Sequence, residues 1–496
     1  MKIENLDIGT LLKVDIKTDK ILETLGNLND PKVDEKISLL LYNRYNEFGE
    51  EPIKEAKAIE KEVDILKYPD RVDLRDLSFC TIDPVTAKDF DDAIYFDEKN
   101  YILYVAIADV SAYVPFFSAI DREAKKRGFT TYFPHKAFPM LPRELSENIC
   151  SLKPNVDRLA FVSKITLDRK SLKPIREEFF EAVIHSKRRF NYNEIDEVLK
   201  KREIESKELE YIFPLYEVTQ RLKRERLKSG FDFGTKEIKI EIDENHNLIS
   251  TKEGTSTPSH SLIEECMLLA NRASAKLLGD YGIFRVHLPP EISKIEELLE
   301  DLATVGIFVE NYTDVISLIG AIQKEAKKVG LEREVDEMII KSLKQATYSP
   351  DNFGHFGLGF SHYSHFTSPI RRYPDLILHR LIKAKLKDDK EALDYLLRNI
   401  EPLCVRVSEL ERDATKAEWD FRDRKLARWA KEREGEKFRA KIIEIDGDTA
   451  KATIIDSDIV GVVVNLKNSD FMLFDKIDII IDRVDIARAT ILARRV

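Results

Sequence analysis

The sequence predicts a multidomain α+β protein: a large mixed α/β domain, a small closed β-barrel after it, and a short module in front. Three observations lead there. The chain has 496 residues, more than one ordinary domain holds. Between residues 71 and 432, strand-like runs such as YILYVAIADV and LAFVSKITLD are interspersed with helical patterns such as IEELLEDLATVGI and EVDEMIIKSLKQAT. From residue 433 to residue 496 the helical period stops. Five short strand-like runs follow one another there: KFRAKIIEIDG, TAKATIID, VGVVVNL, FDKIDIIIDRVD and RATILARRV.

Residues 1–70 form the short module. Its LLKVDIKTDKILETLG alternates as paired strands do, whereas DEKISLLLYNRYNEF fits a strand or a helix. EPIKEAKAIEKEVDILKYPD reads as a charged connector ending near Pro69. In the central domain DLILHRLIKAKL predicts an amphipathic helix, and ERDATKAEWDFRDRKLARWAKER a long helix at the end. The five C-terminal runs have the spacing of an OB-type barrel. No internal repeat or low-complexity tail is present.

Hydrophobic residues make up 43% and charged residues 34% of the chain, a globular and soluble balance. No apolar run reaches the ~18–20 residues of a membrane span. The N-terminus lacks the apolar stretch of a secretory leader. Cys80, Cys150, Cys266 and Cys404 are scattered and form no C-x-x-C pair. Neither a zinc knuckle nor a disulfide framework is indicated, and a cytoplasmic location is expected. The net charge of −10 argues against a polyanionic partner, but a protein that holds metal ions needs acidic ligands. Two basic clusters, Lys187-Arg188-Arg189 and Arg221 to Lys228, read first as solvated faces.

The most informative segment is TIDPVTAKDFDDAIYF, residues 81–96. Asp83, Asp89, Asp91 and Asp92 fall within ten residues, between the apolar runs LSFCTI and AIYF. Unpaired carboxylates are costly in such surroundings, and a hard cation such as Mg²⁺ removes the cost. In extended chain Asp89 and Asp91 face one side, and Asp83 returns across the turn at Pro84. One or two Mg²⁺ ions, with Mn²⁺ as a substitute, would seat a scissile phosphate there. The rivals are a calcium loop and a solvated acidic turn. An EF-hand loop needs a glycine that this segment lacks.

Asp83 to Ala93, D-P-x-x-A-x-D-F-D-D-A, resembles the RNB catalytic domain of the ribonuclease II/R family. Further segments match in the same order: YVAIADVSAYV (104–114), RGFTTYFPHKAFPMLPRELSENICSLKPN (127–155), HSLIEECMLLAN (260–271), FRVHLPP (284–290) and GHFGLGFSHYSHFTSPIRRYPDLILHR (354–380). The resemblance implies a monomeric 3′→5′ exoribonuclease that degrades single-stranded RNA processively to nucleoside 5′-monophosphates. It implies that Asp83, Asp89, Asp91 and Asp92 bind metal, with Asp91 the most critical to chemistry. Arg371 would contact the scissile phosphate. Tyr132 and Phe233 would clamp terminal bases, Tyr192 and Glu264 would recognise the ribose, and Glu418 would lie near the leaving nucleotide.

Each assignment has a plainer rival in the residues themselves. Arg371 could pair with Asp375 at a helix start. Tyr132 could be an ordinary loop aromatic and Phe233 a core residue. Glu264 lies on the apolar pattern SLIEECMLLAN, where an inward carboxylate needs a partner. That partner is a ribose hydroxyl or a structural cation. Arg372, Asp375, His379 and Arg380 read as structural. The histidines lack zincin spacing. The family usually carries two N-terminal cold-shock barrels, and residues 1–70 leave room for a truncated one plus a linker. Two other functions stay open: a metal-dependent endoribonuclease, and a catalytically idle RNA-binding protein on the same scaffold.

Overall fold

The computed structural model describes residues 6–204, 206–234, 236–310, 312–467 and 470–496. β1 (Thr10–Asp15) and β2 (Lys20–Asn27) pair antiparallel, as their alternation suggests. The ambiguous segment that follows is a helix, α1 (Val33–Leu41). Its Leu39 packs in a cluster with Phe133, Phe138, Ile240 and Phe421. Asp34, on the same helix, is fully buried 2.7 Å from both Lys425 and Arg428. Burial against partners distant in sequence settles what local propensity left open. Part of the stretch read as connector is also helical, α2 (Glu50–Ala58).

The ion pair anchors the N-terminal module. Replacing Asp34 with alanine leaves the buried Lys425 ammonium the Pro31 carbonyl, at 2.6 Å, and the Phe421 ring face, with no counter-charge in contact. Breaking one side of such a pair costs about 3–5 kcal/mol. Limited proteolysis of Asp34→Ala is expected to cut ahead of α2 far faster than in the wild type. Equal rates would remove the ion pair as the anchor.

The central domain is built on one mixed sheet. Its strands are β3 (Val72–Asp73), β4 (Cys80–Asp83), β5 (Asp92–Asp97) and β6 (Ile102–Ala108). After α3 (Ala119–Arg127) and the small hairpin β7 (Thr131–Phe133) and β8 (Lys136–Phe138) come β9 (Asp157–Leu167), β10 (Pro174–His185) and β11 (Arg188–Asn191). The order across the sheet is β11-β4-β5-β6-β9-β10-β3. β11 runs parallel to β4 and β10 parallel to β3, and the remaining pairs are antiparallel.

Helices α4 (Tyr192–Lys201) and α5 (Ile212–Arg226) lead to the hairpin β12 (Ile238–Ile242) and β13 (Leu248–Glu253). α6 (Pro258–Leu278) then crosses the sheet and is followed by β14 (Tyr281–Val286). α7 (Ile292–Thr304), α8 (Val315–Val329) and α9 (Glu332–Ser342) enclose a separate small core around Leu302, Ile319 and Val335. β15 (Thr347–Asp351) pairs with β14. The chain continues through α10 (Tyr373–Leu386), α11 (Lys390–Arg398) and α12 (Ile400–Lys431).

α10 departs from the amphipathic expectation, because every residue from Tyr373 to Ile382 is buried. Its polar side chains find partners inside, except that His379 Nδ1 is buried with no hydrogen-bond partner among the described residues. Arg372 bonds Asp375 (2.7 Å), the Phe366 carbonyl lies 2.7 Å from His379 Nε2, and Arg380 meets Asp121 (2.8 Å). A helix buried all round needs such partners wherever it carries charge.

α12 is 32 residues long, about 48 Å. Leu426, Ala427 and Ala430 at its end enter the core of the terminal barrel. The five expected strands are present as β16 (Lys437–Asp446), β17 (Thr449–Ile454), β18 (Val463–Lys467), β19 (Lys476–Asp485) and β20 (Thr490–Arg495). They close in the order β16-β17-β18-β20-β19. Among the described residues no helix is long and apolar enough to cross a membrane. The four cysteines are buried and free.

Candidate active site

β4 and β5 are antiparallel neighbours joined by residues 84–91. Asp83 ends the first strand and Asp92 starts the second, so both emerge at one end of the sheet. The joining segment is irregular and pinned from outside. Ser151 Oγ accepts from the Phe90 amide (3.0 Å) and donates to the Lys88 carbonyl (2.9 Å). Arg189 donates to the carbonyls of Pro84 (2.6 Å) and Val85 (2.9 Å). Asp89 and Asp91 are therefore positioned by a clamped loop, not by strand alternation. Arg189, read as part of a solvated basic cluster, supplies one of the clamps.

All four aspartates line a single cavity of about 710 Å³. Asp91 is buried, and its Oδ1 accepts from the Ile370 amide (2.9 Å). Arg371 Nε stands 3.5 Å from Asp91 Oδ2. Oδ2 of Asp83 and Oδ2 of Asp91 are buried without a hydrogen-bond partner among the described residues. Burial pushes the Asp91 carboxyl well above the usual range, although the Arg371 charge opposes it. Asp83 is raised by burial and then by repulsion from Asp92. Asp92 is raised by burial against the pull of Arg371. Clustered acidic oxygens with orphaned lone pairs fit a hard divalent cation, which would relieve both strains.

Arg371 is held by its backbone. Its carbonyl accepts from the Thr130 amide (3.0 Å), and the Tyr373 amide donates to the Gly128 carbonyl (2.8 Å). Gly128 has φ +71°, and a Cβ there would meet Leu410 Cδ1 at 2.7 Å, so only glycine fits this crossing. The neighbouring Arg372, not Arg371, pairs with Asp375. The Arg371 side chain is left half-exposed on the cavity wall.

Tyr132, on β7, reaches Asp89 Oδ2 with its hydroxyl (3.3 Å), and its amide donates to Glu418 Oε1 (2.7 Å). Burial pushes the Glu418 carboxyl up to about 7. Tyr192, at the start of α4, lines the cavity and stacks on His260 at 3.8 Å between ring centres. His260 had no assigned role in the sequence, although it opens the HSLIEECMLLAN segment.

Of the expected members, Glu418 reaches the cavity only through the Tyr132 amide, and two others stand apart from it. Phe233 stacks on Phe231 (5.7 Å) and packs on the α7–α9 core, because the next amide, of Gly234, is tied to Asp336 (2.8 Å). Glu264 is not the inward carboxylate of α6. Its side chain is 47% exposed, 3.8 Å from Arg226. The buried neighbour is Glu265, bonded by Arg226 at 2.6 Å. Arg226 is thus a core cation and not part of a solvated face.

The sequence profile of the RNB domain matches residues 71–388. The chain belongs to the ribonuclease II/R family. A profile of the ribonuclease R second OB domain matches residues 1–39. The chain is 39% identical to ribonuclease R of Helicobacter pylori, across 88% of this chain and 68% of that one. It is 38% identical to ribonuclease R of Aquifex aeolicus, across 84% of this chain and 61% of that one. It thus spans roughly two thirds of the length of these family members. Mycoplasma genitalium RNase R in complex with ribose-methylated single-stranded RNA superimposes with a TM-score of 0.90 at 26% identity, covering 99% of this chain and 84% of that one. Yeast Ssd1, a pseudonuclease, shares the fold, with a TM-score of 0.70 at 18% identity, covering 95% of this chain and 60% of that one.

Proposed function

We propose that this chain is a metal-dependent 3′→5′ exoribonuclease that degrades single-stranded RNA processively to nucleoside 5′-monophosphates. The observation that carries the reading is the meeting of four aspartates and Arg371 in one cavity. Asp83, Asp89, Asp91 and Asp92 would hold one or two Mg²⁺ ions, with Mn²⁺ as a substitute. When bound, such ions activate water and offset the negative charge of the phosphate. Arg371 supplies a planar fork of donors to phosphate oxygens, fixed before substrate arrives. Tyr132 and the Tyr192–His260 stack offer aromatic faces at the cavity wall, and base stacking is worth about 1–3 kcal/mol per base regardless of sequence. Glu418 positions Tyr132 through its backbone. Phe233 and Glu264 take no part in this reading, because both stand outside the cavity. The RNA-bound relative supports RNA as the polymer. The four free, buried cysteines agree with a cytoplasmic setting.

Single-stranded RNA labelled at its 5′ end, incubated with Mg²⁺, tests the proposal. Progressive shortening to a small limit product is expected, and a chelator should stop it. Internal fragments would make the chain an endonuclease. Retention of intact RNA in Mg²⁺ would make it a binding protein.

A further inference from the structure

A second group of metal-ligating side chains lies beside the catalytic cavity, and the reading above does not use it. Glu35 of α1, His135 in the β7–β8 turn and His246 in the β12–β13 turn each offer one ligand atom, and these atoms lie within 4.8 Å of one another. His135 Nε2 is 2.7 Å from Glu35 Oε2. The two imidazole rings are 4.4 Å apart and tilted by 53°. Nδ1 of His246 is buried with no hydrogen-bond partner among the described residues. A buried ring nitrogen normally has one.

We propose that Glu35, His135 and His246 bind a Zn²⁺-class divalent ion, at a site separate from the four aspartates. Two imidazoles and one carboxylate are a known three-ligand set for zinc, completed by water. Imidazole nitrogen selects Zn²⁺, Co²⁺ or Ni²⁺ over Mg²⁺, so the two sites differ in metal as well as in place. A tetrahedral ion with bonds of about 2.0–2.1 Å sets its ligands about 3.3 Å apart. Side-chain rotation of roughly 1–1.5 Å therefore closes the group.

The ligands are backed by packing and hydrogen bonds. His135 rests on Phe421 (5.4 Å) and Phe133 (6.3 Å). The His246 turn is fixed by Asp243, which accepts from the amides of Asn245 and Asn247 (2.8 Å each). Lys136, Lys425 and Lys32 oppose the ion, and the first two have other partners. Lys136 is 3.5 Å from Glu35 Oε1 but bonds Asn46 (2.9 Å), and Lys425 is held by Asp34. The three ligands come from the N-terminal module, from the hairpin that carries Tyr132, and from a distant hairpin. His135 and Lys136 themselves line the catalytic cavity. The ion staples these elements at the cavity rim.

Co²⁺ is the probe, titrated into the intact protein in excess Mg²⁺ and followed by its visible absorption. One equivalent is expected to bind with imidazole-type bands and to be displaced by Zn²⁺. His246→Ala and Glu35→Gln should each weaken binding at least ~10-fold while melting as wild type in chelator. Zn²⁺ should slow proteolysis of the N-terminal module in the wild type and not in His246→Ala. Absence of bands in the wild type, or unchanged affinity in both variants, overturns the site. RNA cleavage in Mg²⁺ alone does not depend on this outcome, so the two readings fail separately.

Discussion

Asp91→Asn is expected to lower RNA cleavage by roughly 10³-fold or more, about 4 kcal/mol of transition-state stabilisation, while RNA is still bound. Asparagine keeps the shape of the side chain and an oxygen for the Ile370 amide. It removes the charge that a divalent ion requires. Single-turnover cleavage and filter binding, measured on the same preparation, separate the two effects. A second consequence distinguishes a site from ordinary structure. Asp91 Oδ2 is buried without a hydrogen-bond partner among the described residues, 3.5 Å from Arg371, and burial disfavours its ionised form. Burying a charge is far costlier than burying a neutral amide of the same shape. The variant should therefore melt higher than wild type in chelator, by a few degrees. Near wild-type cleavage by Asp91→Asn would remove Asp91 from the chemistry. A lower melting temperature would make it a structural residue.

Arg371→Ala should cost ~10²–10³-fold in cleavage, the size expected for one pre-aimed donor at a developing charge. Arg371→Lys should recover only part of the loss, since an ammonium keeps the charge but not the fork. The side chain is half-exposed, and its backbone is held by Thr130 and Ser368 whatever the side chain. Stability should consequently change little. Arg372→Ala is the informative contrast. Arg372 bonds Asp375, which is fully buried, and its loss should appear as a lower melting temperature. If Arg371→Ala cleaved as wild type, the phosphate contact would belong to another residue.

Local patterns in the sequence determined the carboxylates at the ends of β4 and β5, Arg371 in T-S-P-I-R-R, and the five barrel strands. Each depends on neighbours in the chain: a strand period of two, a turn at Pro84, a cluster within ten residues. Three-dimensional packing decided what local pattern does not encode. Glu264 and Glu265 are adjacent, yet about 100° apart around α6. Which one meets Arg226 in the interior depends on how the helix is rotated against α5. α10 has the period of a surface helix but is buried on every side from Tyr373 to Ile382, and Asp34 of the module helix α1 meets Lys425 across the fold. Tyr192 and His260 became a stack, Phe233 was drawn to another core, and Glu35 met His135 at a separation of 100 residues. A sequence states which groups are present and their local spacing. Contacts between remote segments come from the total burial of the chain, to which each residue contributes only a part.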